Sequence, residues 1–440
     1  MNEINCFALT SPPKRIVAGG RKLIFYDYDE PTDNHLADNA ACLCVLYNPV
    51  FYSFITAHPK CIKIWDATTG ALQSVFRDLT HKEITAICLD ERKRKLFVGD
   101  SRGRMFSINI KNGAKMKKFK KGEKSQNKDK EEISAMYYWG AQCVLLAASW
   151  DGNVRLFDDS DSSEEGIKKY TMDKHKESVT YLDFKVDEQL CASCGDDGMI
   201  FIFNYNSYRQ EGNLKLDATN PLPEAVKICK FLAGTDILVS ADLDGFIHFW
   251  CVTAAPHVKK NQLLCSIRDD SESNVGEKAY FPIRAMDYDP DDMMLYTGDE
   301  MGNMNKWDIS RLVHKLEQLQ PKEEIDPNMS DIQREAKQKM AKFAQNNAFM
   351  TSVNLNDQNK VIFHSDDIES VKRWEAHTEL IHYVTYVPEL SLVSTCSFDC
   401  NVFMWDKHTL EKVGSLVLGT SAAQIGQMTE AEQRKYSKTW

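Results

Sequence analysis

No stretch of this 440-residue chain approaches the roughly 18 consecutive apolar residues that a membrane-spanning helix requires. The first residues, Met1 to Arg15, lack a basic segment followed by an apolar core, so no secretory leader is expected and a cytoplasmic location is. Basic charge is in deficit: 54 Lys and Arg stand against 64 Asp and Glu, a formal net charge of −10. That balance is opposite to the one a general nucleic-acid binder needs. A Gly-x-x-x-x-Gly-Lys-Ser/Thr phosphate loop is missing, and so is a Gly-x-Ser-x-Gly nucleophile elbow. Neither a nucleotide-driven nor a serine-hydrolase chemistry is expected, nor any cofactor.

Paired cysteine motifs are equally scarce. The 13 cysteines are odd in number and scattered, unlike the framework of a small secreted domain. Most sit in apolar runs, as do Cys42, Cys44 and Cys88, where they act as small hydrophobes. Cys191 and Cys194 have C-x-x-C spacing but no second pair, and on a strand residues three apart point to opposite faces. A packing role is expected for both.

What is present is repetition. Its clearest copy is LLAASWDGNVRLFD, Leu145 to Asp158: an apolar strand, a Trp-Asp-Gly-Asn turn and a second strand. Related units begin near Cys6, Cys42, Ile84, Ile133, Val179, Val226, Ile283 and Ile381. The marks that end their third runs, Trp65, Ile108, Phe157, Phe203, Trp250 and Trp307, are spaced by 43, 49, 46, 47 and 57 residues. Such a period, with several short strands in each unit, points to blades of a β-propeller. Eight blades are the expectation, within a range of seven to nine, over a domain spanning 1–419. The apolar run Val413 to Leu418 is the candidate outer strand that completes the circle. Asp100, Asp151, Asp197, Asp244 and Asp399 fall at the turns, where Asp bonds the local backbone.

The pattern breaks in four places. Between Trp307 and Trp405 the spacing grows to 98 residues, making room for a helical insertion at about 310–347 and a degenerate hairpin from Phe349 to Trp374. Leu312, Leu316 and Leu319 recur at helical spacing up to Pro321. A capping-box signal, Ser330 with Gln333, then precedes Ile332, Ala336, Met340 and Ala344 on one face, opposite Arg334, Lys337, Lys339 and Lys342. Lys111 to Lys130 holds nine lysines against two acids. It reads as a solvated loop or as a docking strip for an acidic surface, with Lys117, Lys118, Lys120, Lys121 and Lys124 as its centre. Phe119 is its one aromatic, too few for stacking nucleic-acid bases. Next, Asp158 to Glu165 is an acidic run in which Ser160, Ser162 and Ser163 resemble acid-directed kinase sites. Finally, 420–440 is a polar tail with a helix signal at Thr429 and Glu432.

The endings Trp65-Asp66, Trp307-Asp308 and Trp405-Asp406 resemble those of WD-repeat β-propellers. That resemblance implies that a His before the inner strand, here His81, His175 or His377, bonds the turn Asp. It also implies structural roles for Trp65, Trp250, Trp307 and Trp405. The phrases Phe76 to Gly113, Glu132 to Asp159 and Trp374 to Asp406 are similar to ciliary WD-repeat proteins that often carry EF-hands. They imply a non-catalytic scaffold on axonemal microtubules, with tubulin, axonemal complexes or another propeller chain as partners. The alternative is a general cytosolic adaptor, such as a ubiquitin-ligase substrate receptor or an RNA-processing scaffold. The acidic run lacks the glycine and terminal glutamate of a calcium loop, so no metal is expected.

Overall fold

The computed structural model describes residues 6–10, 15–19, 23–27, 41–68, 70–120, 131–161, 163–214, 225–253, 258–268, 271–272, 278–279, 281–319 and 363–416. Strands β1 (Cys6–Thr10), β2 (Arg15–Gly19) and β3 (Leu23–Asp27) form a three-stranded antiparallel sheet.

Among the described residues, seven blades of four strands each follow. Blade one is β4 (Cys44–Asn48), β5 (Ser53–Ala57), β6 (Cys61–Asp66) and β7 (Leu72–Arg77). Blade two is β8 (Ile84–Leu89), β9 (Lys95–Asp100), β10 (Met105–Asn109) and β11 (Lys115–Phe119). Blade three is β12 (Ile133–Trp139), β13 (Val144–Ser149), β14 (Val154–Asp158) and β15 (Glu165–Met172). Blade four is β16 (Val179–Lys185), β17 (Leu190–Gly195), β18 (Ile200–Asn204) and β19 (Arg209–Leu214). Blade five is β20 (Val226–Phe231), β21 (Ile237–Asp242), β22 (Phe246–Cys251) and β23 (Gln262–Arg268). A two-stranded ribbon, β24 (Ser271–Glu272) with β25 (Lys278–Ala279), precedes blade six. Blade six is β26 (Ile283–Asp289), β27 (Met294–Asp299), β28 (Asn303–Asp308) and β29 (Glu369–Glu375). Blade seven is β30 (Ile381–Val387), β31 (Leu392–Ser397), β32 (Val402–Asp406) and β33 (Lys412–Ser415).

The second strand of most blades is buried along its whole length, because both its faces meet a neighbouring blade. The pattern in β13 and β17 is buried at every residue. Seven hydrophobic clusters form the seams. Phe97 and Phe119 of blade two meet Leu145 and Phe157 of blade three, and Tyr296 and Met304 of blade six meet Val384 and Trp405 of blade seven. The last seam closes the ring: Val387, Cys396 and Met404 of blade seven pack on Val45, Phe54 and Trp65 of blade one. The third-strand marks, from Trp65 to Trp405, all face the preceding blade. Cys191 and Cys194 follow strand alternation, the first packing in the seam with blade three and the second in the seam with blade five.

Two expectations about blade count are corrected. The ring holds seven blades rather than eight, because blade seven packs directly on blade one and leaves the unit beginning at Cys6 as the separate β1–β3 sheet. Of the hairpin expected from Phe349 to Trp374, residues 349–362 lie outside the described residues, and its end belongs to Glu369–Glu375, the fourth strand of blade six, paired with β28. The run at Val413 contributes to β33, which pairs with β32 inside blade seven, so side-chain packing closes the circle. Helix α1 (Ser310–Leu319) opens the insertion. Asp308 Oδ1 accepts from Ser310 N at 2.8 Å at its start, and Leu312, Val313 and Leu316 are buried in the seam between blades five and six. The expected second helix, with Arg334, Lys337 and Lys339, and the tail lie outside the described residues.

Gly99 and Gly298 sit at the same point of their second strands. A Cβ at Gly99 would lie 2.8 Å from Ile133 Cγ2, and one at Gly298 would lie 2.8 Å from Ile381 Cγ2, so the next blade's first isoleucine occupies the side-chain space. Gly298→Ala is expected to destabilise the ring by about 1–3 kcal/mol, the usual cost of overpacking. Denaturant unfolding measures this, and the paired variant Gly298→Ala with Ile381→Val is expected to recover part of the loss.

Candidate functional site

In blades two to seven the hairpin between second and third strands is a tight turn with an i to i+3 backbone bond, such as Gly198 N to Gly195 O at 3.1 Å and Gly302 N to Asp299 O at 3.4 Å. Gly198 has φ 68°, a conformation that glycine adopts without strain. A carboxylate organises the turn in one of two ways. In blades four and seven it lies in the turn: Asp197 Oδ1 is 3.0 Å from His175 Nδ1, and Asp399 Oδ2 is 2.9 Å from His377 Nδ1. The chain of bonds continues from His377 Nε2 to Thr395 Oγ1 at 2.7 Å, which accepts from Trp405 Nε1 at 2.9 Å. His175 Nε2 likewise meets Ser193 Oγ at 2.8 Å, with Phe203 in place of the Trp. Burial pushes both aspartates up, but the imidazole bonds and backbone N–H groups outweigh it and hold them below the usual carboxylate range.

In blades two, five and six the carboxylate ends the second strand. Asp100 accepts from Arg102 N and Arg104 N, each at 2.9 Å, and from Thr80 Oγ1 at 2.8 Å. Asp242 Oδ2 lies 3.0 Å from His248 Nε2, and Asp299 accepts from Asn303 N at 2.8 Å and Arg373 Nη2 at 3.0 Å. Two expected residues are therefore displaced. His81 is exposed, and Thr80, one residue earlier, holds the place equivalent to His175 and His377. Asp244 is exposed while Asp242 does the bonding. Asp151 is held by a bidentate pair with Arg155 at 3.0 and 2.6 Å. Trp65, Trp250 and Trp307 donate to Thr56, Ser240 and Thr297 at 2.8–2.9 Å.

The lysine run starts as β11, not as a loop. Lys117 is buried, with its Nζ 2.5 Å from Asp161 Oδ1 and 3.6 Å from Asp159 Oδ1, so it is unavailable as a free docking charge. Its strand pairs in parallel with β15, Lys118 opposite Glu165 and Phe119 opposite Gly166, which joins blades two and three into one eight-stranded sheet. Lys118 and Lys120 are exposed, and Lys120 pairs with Glu165. Lys121 and Lys124 lie outside the described residues. Ser160 is exposed, and Ser163 Oγ bonds Asp161 at 2.8 Å.

The upper face of the ring, where inner strands begin and these turns lie, carries a feature the sequence pattern underplayed. Trp150, Met301 and Phe398 project from three turns at 41%, 54% and 37% exposure, with His382 stacked on Phe398 at 5.2 Å. Trp150, His382 and Phe398 line a 450 Å³ mouth of the central channel that also holds Glu132, Lys227 and Arg284. Burial, then Arg284, drives His382 down to about 4, and burial with Glu83 lifts Glu132 to about 7. An apolar residue inside a polar turn was the available signal for this ring.

The WD domain, G-beta repeat family matches residues 166–204 and 368–406. Each segment runs from the last strand of one blade through three strands of the next, and these are the two blades in which a His ahead of the first strand bonds an Asp within the turn. The chain is a β-propeller that carries WD repeats in these two segments.

This propeller is 22% identical to Cilia- and flagella-associated protein 337 B of Tetrahymena thermophila over 92% of the chain, which spans 33% of that protein's length. It is 25% identical to the WD repeat-containing protein on Y chromosome of Drosophila virilis over 43% of the chain and 16% of that protein. Among solved structures, the computationally designed Ika8 protein shares the fold at a TM-score of 0.52 and 14% identity, covering 92% of this chain and 96% of that one.

The two turn solutions give separable outcomes. Thr80→Val is expected to cost about 1–3 kcal/mol by removing a bond to buried Asp100, whereas His81→Ala stays within about 0.5 kcal/mol as an exposed change; thermal melts compare them. The lowered Asp197 and Asp399 contribute stability that is complete above the ordinary carboxylate value of about 4 and lost as pH falls through their lower folded values. Asp399→Asn is therefore expected to flatten the acid limb of stability against pH, as read by urea unfolding from pH 6 down to about 2.

Proposed function

We propose that the chain is a non-catalytic scaffold of the ciliary or flagellar axoneme, attached to doublet microtubules or to complexes carried on them. The observation that carries this reading is the similarity to the Tetrahymena ciliary protein along nearly the whole chain. WD-repeat propellers generally mediate protein contacts, and the rigid ring described here supplies a platform for them. Its upper face supports a docking role. Trp150, Met301 and Phe398 expose apolar area among charged neighbours, the composition from which interface anchors are drawn. Lys118 and the lysines that follow it offer a basic strip to acidic partners, of which tubulin tails are the ones this reading selects.

Epitope-tagged protein in ciliated cells tests the proposal. Retention on detergent-extracted axonemes through a high-salt wash is expected, and recovery wholly in the soluble fraction would sink it. The double variant Trp150→Ser with Phe398→Ser is expected to melt within a few degrees of the parent yet lose axonemal retention, because both side chains lie outside the seams.

A further inference from the structure

The channel has a second mouth. At the lower end of the ring, where inner strands finish, lies a concavity of about 640 Å³. It shares Ile87, Met136, Tyr181, Leu182 and Tyr383 with the upper mouth, so the two mouths adjoin at these side chains. Tyr47, Tyr137, Phe184 and Tyr386 contribute to its walls, with Tyr137 and Phe184 stacked at 3.7 Å between centroids.

Its charge is lopsided. Asp90, Glu91, Asp183 and Glu389 line it against Lys93 and Lys230. Lys230 is shared: its Nζ lies 2.9 Å from Asp287 Oδ1 while its charge also acts on Asp183, and Asp287 Oδ2 accepts from Tyr386 N at 2.7 Å. Asp90 accepts from Arg94 N and Lys95 N, each at 2.7 Å. Asp183 accepts from Phe231 N at 2.6 Å. Burial outweighs Lys230 and the backbone bonds and lifts the Asp183 carboxyl to about 6, so the one buried cation it shares with Asp287 does not offset its desolvation. At the rim, Glu91 and Glu389 are exposed, and Glu91 lies over Gly140 in the space a Cβ would fill.

We infer that the lower mouth receives an arginine side chain from a partner protein, its guanidinium bonded to Asp183 and stacked against the tyrosine and phenylalanine rings. A planar guanidinium pairs with carboxylates and stacks on aromatic faces. A divalent cation requires several oxygen ligands converging on one point, and here the deep carboxylate is surrounded by rings. Glu91 and Glu389 are exposed at the lower rim, so a long side chain entering from the lower face passes carboxylates before it reaches Asp183. This site is separate from the upper-face contacts and holds wherever in the cell the chain works.

Calorimetric titration of the whole chain with the peptide acetyl-Gly-Gly-Arg-Gly-Gly-amide tests the inference, with norleucine in place of Arg as the reference. Binding of the arginine peptide alone is expected. Asp183→Asn should weaken it about tenfold or more, the effect of removing a charged hydrogen-bond partner, and Trp150→Ser on the upper face should leave it unchanged. Equal binding of the two peptides, or an Asp183→Asn protein that binds like the parent, overturns the inference. Should Asp183→Asn fail to fold by circular dichroism, the rim variant Glu91→Gln with Glu389→Gln replaces it; several-fold weaker binding at low salt supports the site, and unchanged binding overturns it.

Discussion

Every blade depends on the face that its neighbour covers. A twisted four-stranded sheet with both surfaces apolar cannot stand in water alone, and burying such surface is worth roughly 25 cal/mol per Å². Residues such as Val98, Leu146 and Val239, all fully buried, contribute that stabilisation only when the adjoining blade is in place. The seam between blades seven and one is thus a condition for all the others. A propeller missing one blade would expose two such faces.

The hydrogen-bonded turns act on this packing rather than beside it. His377 reaches across from the segment before β30 to the turn after β31, tying the start of an inner strand to a hairpin of the same blade. Thr80 and Asp100 do the same in blade two. Fixing the turn fixes where the third strand leaves, and hence where its Trp or Phe enters the preceding seam. The same turns hold Trp150 and Phe398 on the upper face, so the parts that stabilise the ring also present its contact surface.

Much of this was legible in sequence. The first three strands of each blade alternate or run apolar, their turns carry Asp and Gly, and their end-marks keep a steady period, so both the architecture and the unit boundaries could be read. The fourth strands could not. The outer edge of a blade meets water, and β11, with sequence KMKKF, has buried residues only at Lys117 and Phe119; such a strand reads as a charged loop. For the same reason Glu369–Glu375 was absorbed into a supposed hairpin. The blade count was misjudged because a period identifies units but not which of them share a seam. His81 drew attention through its residue type, while the geometric slot belongs to Thr80. The lower mouth had no local signature at all, since Tyr137, Asp183, Lys230 and Tyr383 belong to four different blades.

The insertion has a further consequence for how the ring assembles. Between α1 and Phe363 lie 43 residues, and β28 must hold its place until β29 returns across that span. Pairing of β29 with β28 therefore joins strands that lie far apart in sequence. Docking of Leu312, Val313 and Leu316 into the seam anchors one end of the span before the other arrives. Blade six is therefore completed by a strand that its own local sequence does not supply, and its outer edge depends on a contact made across the insertion.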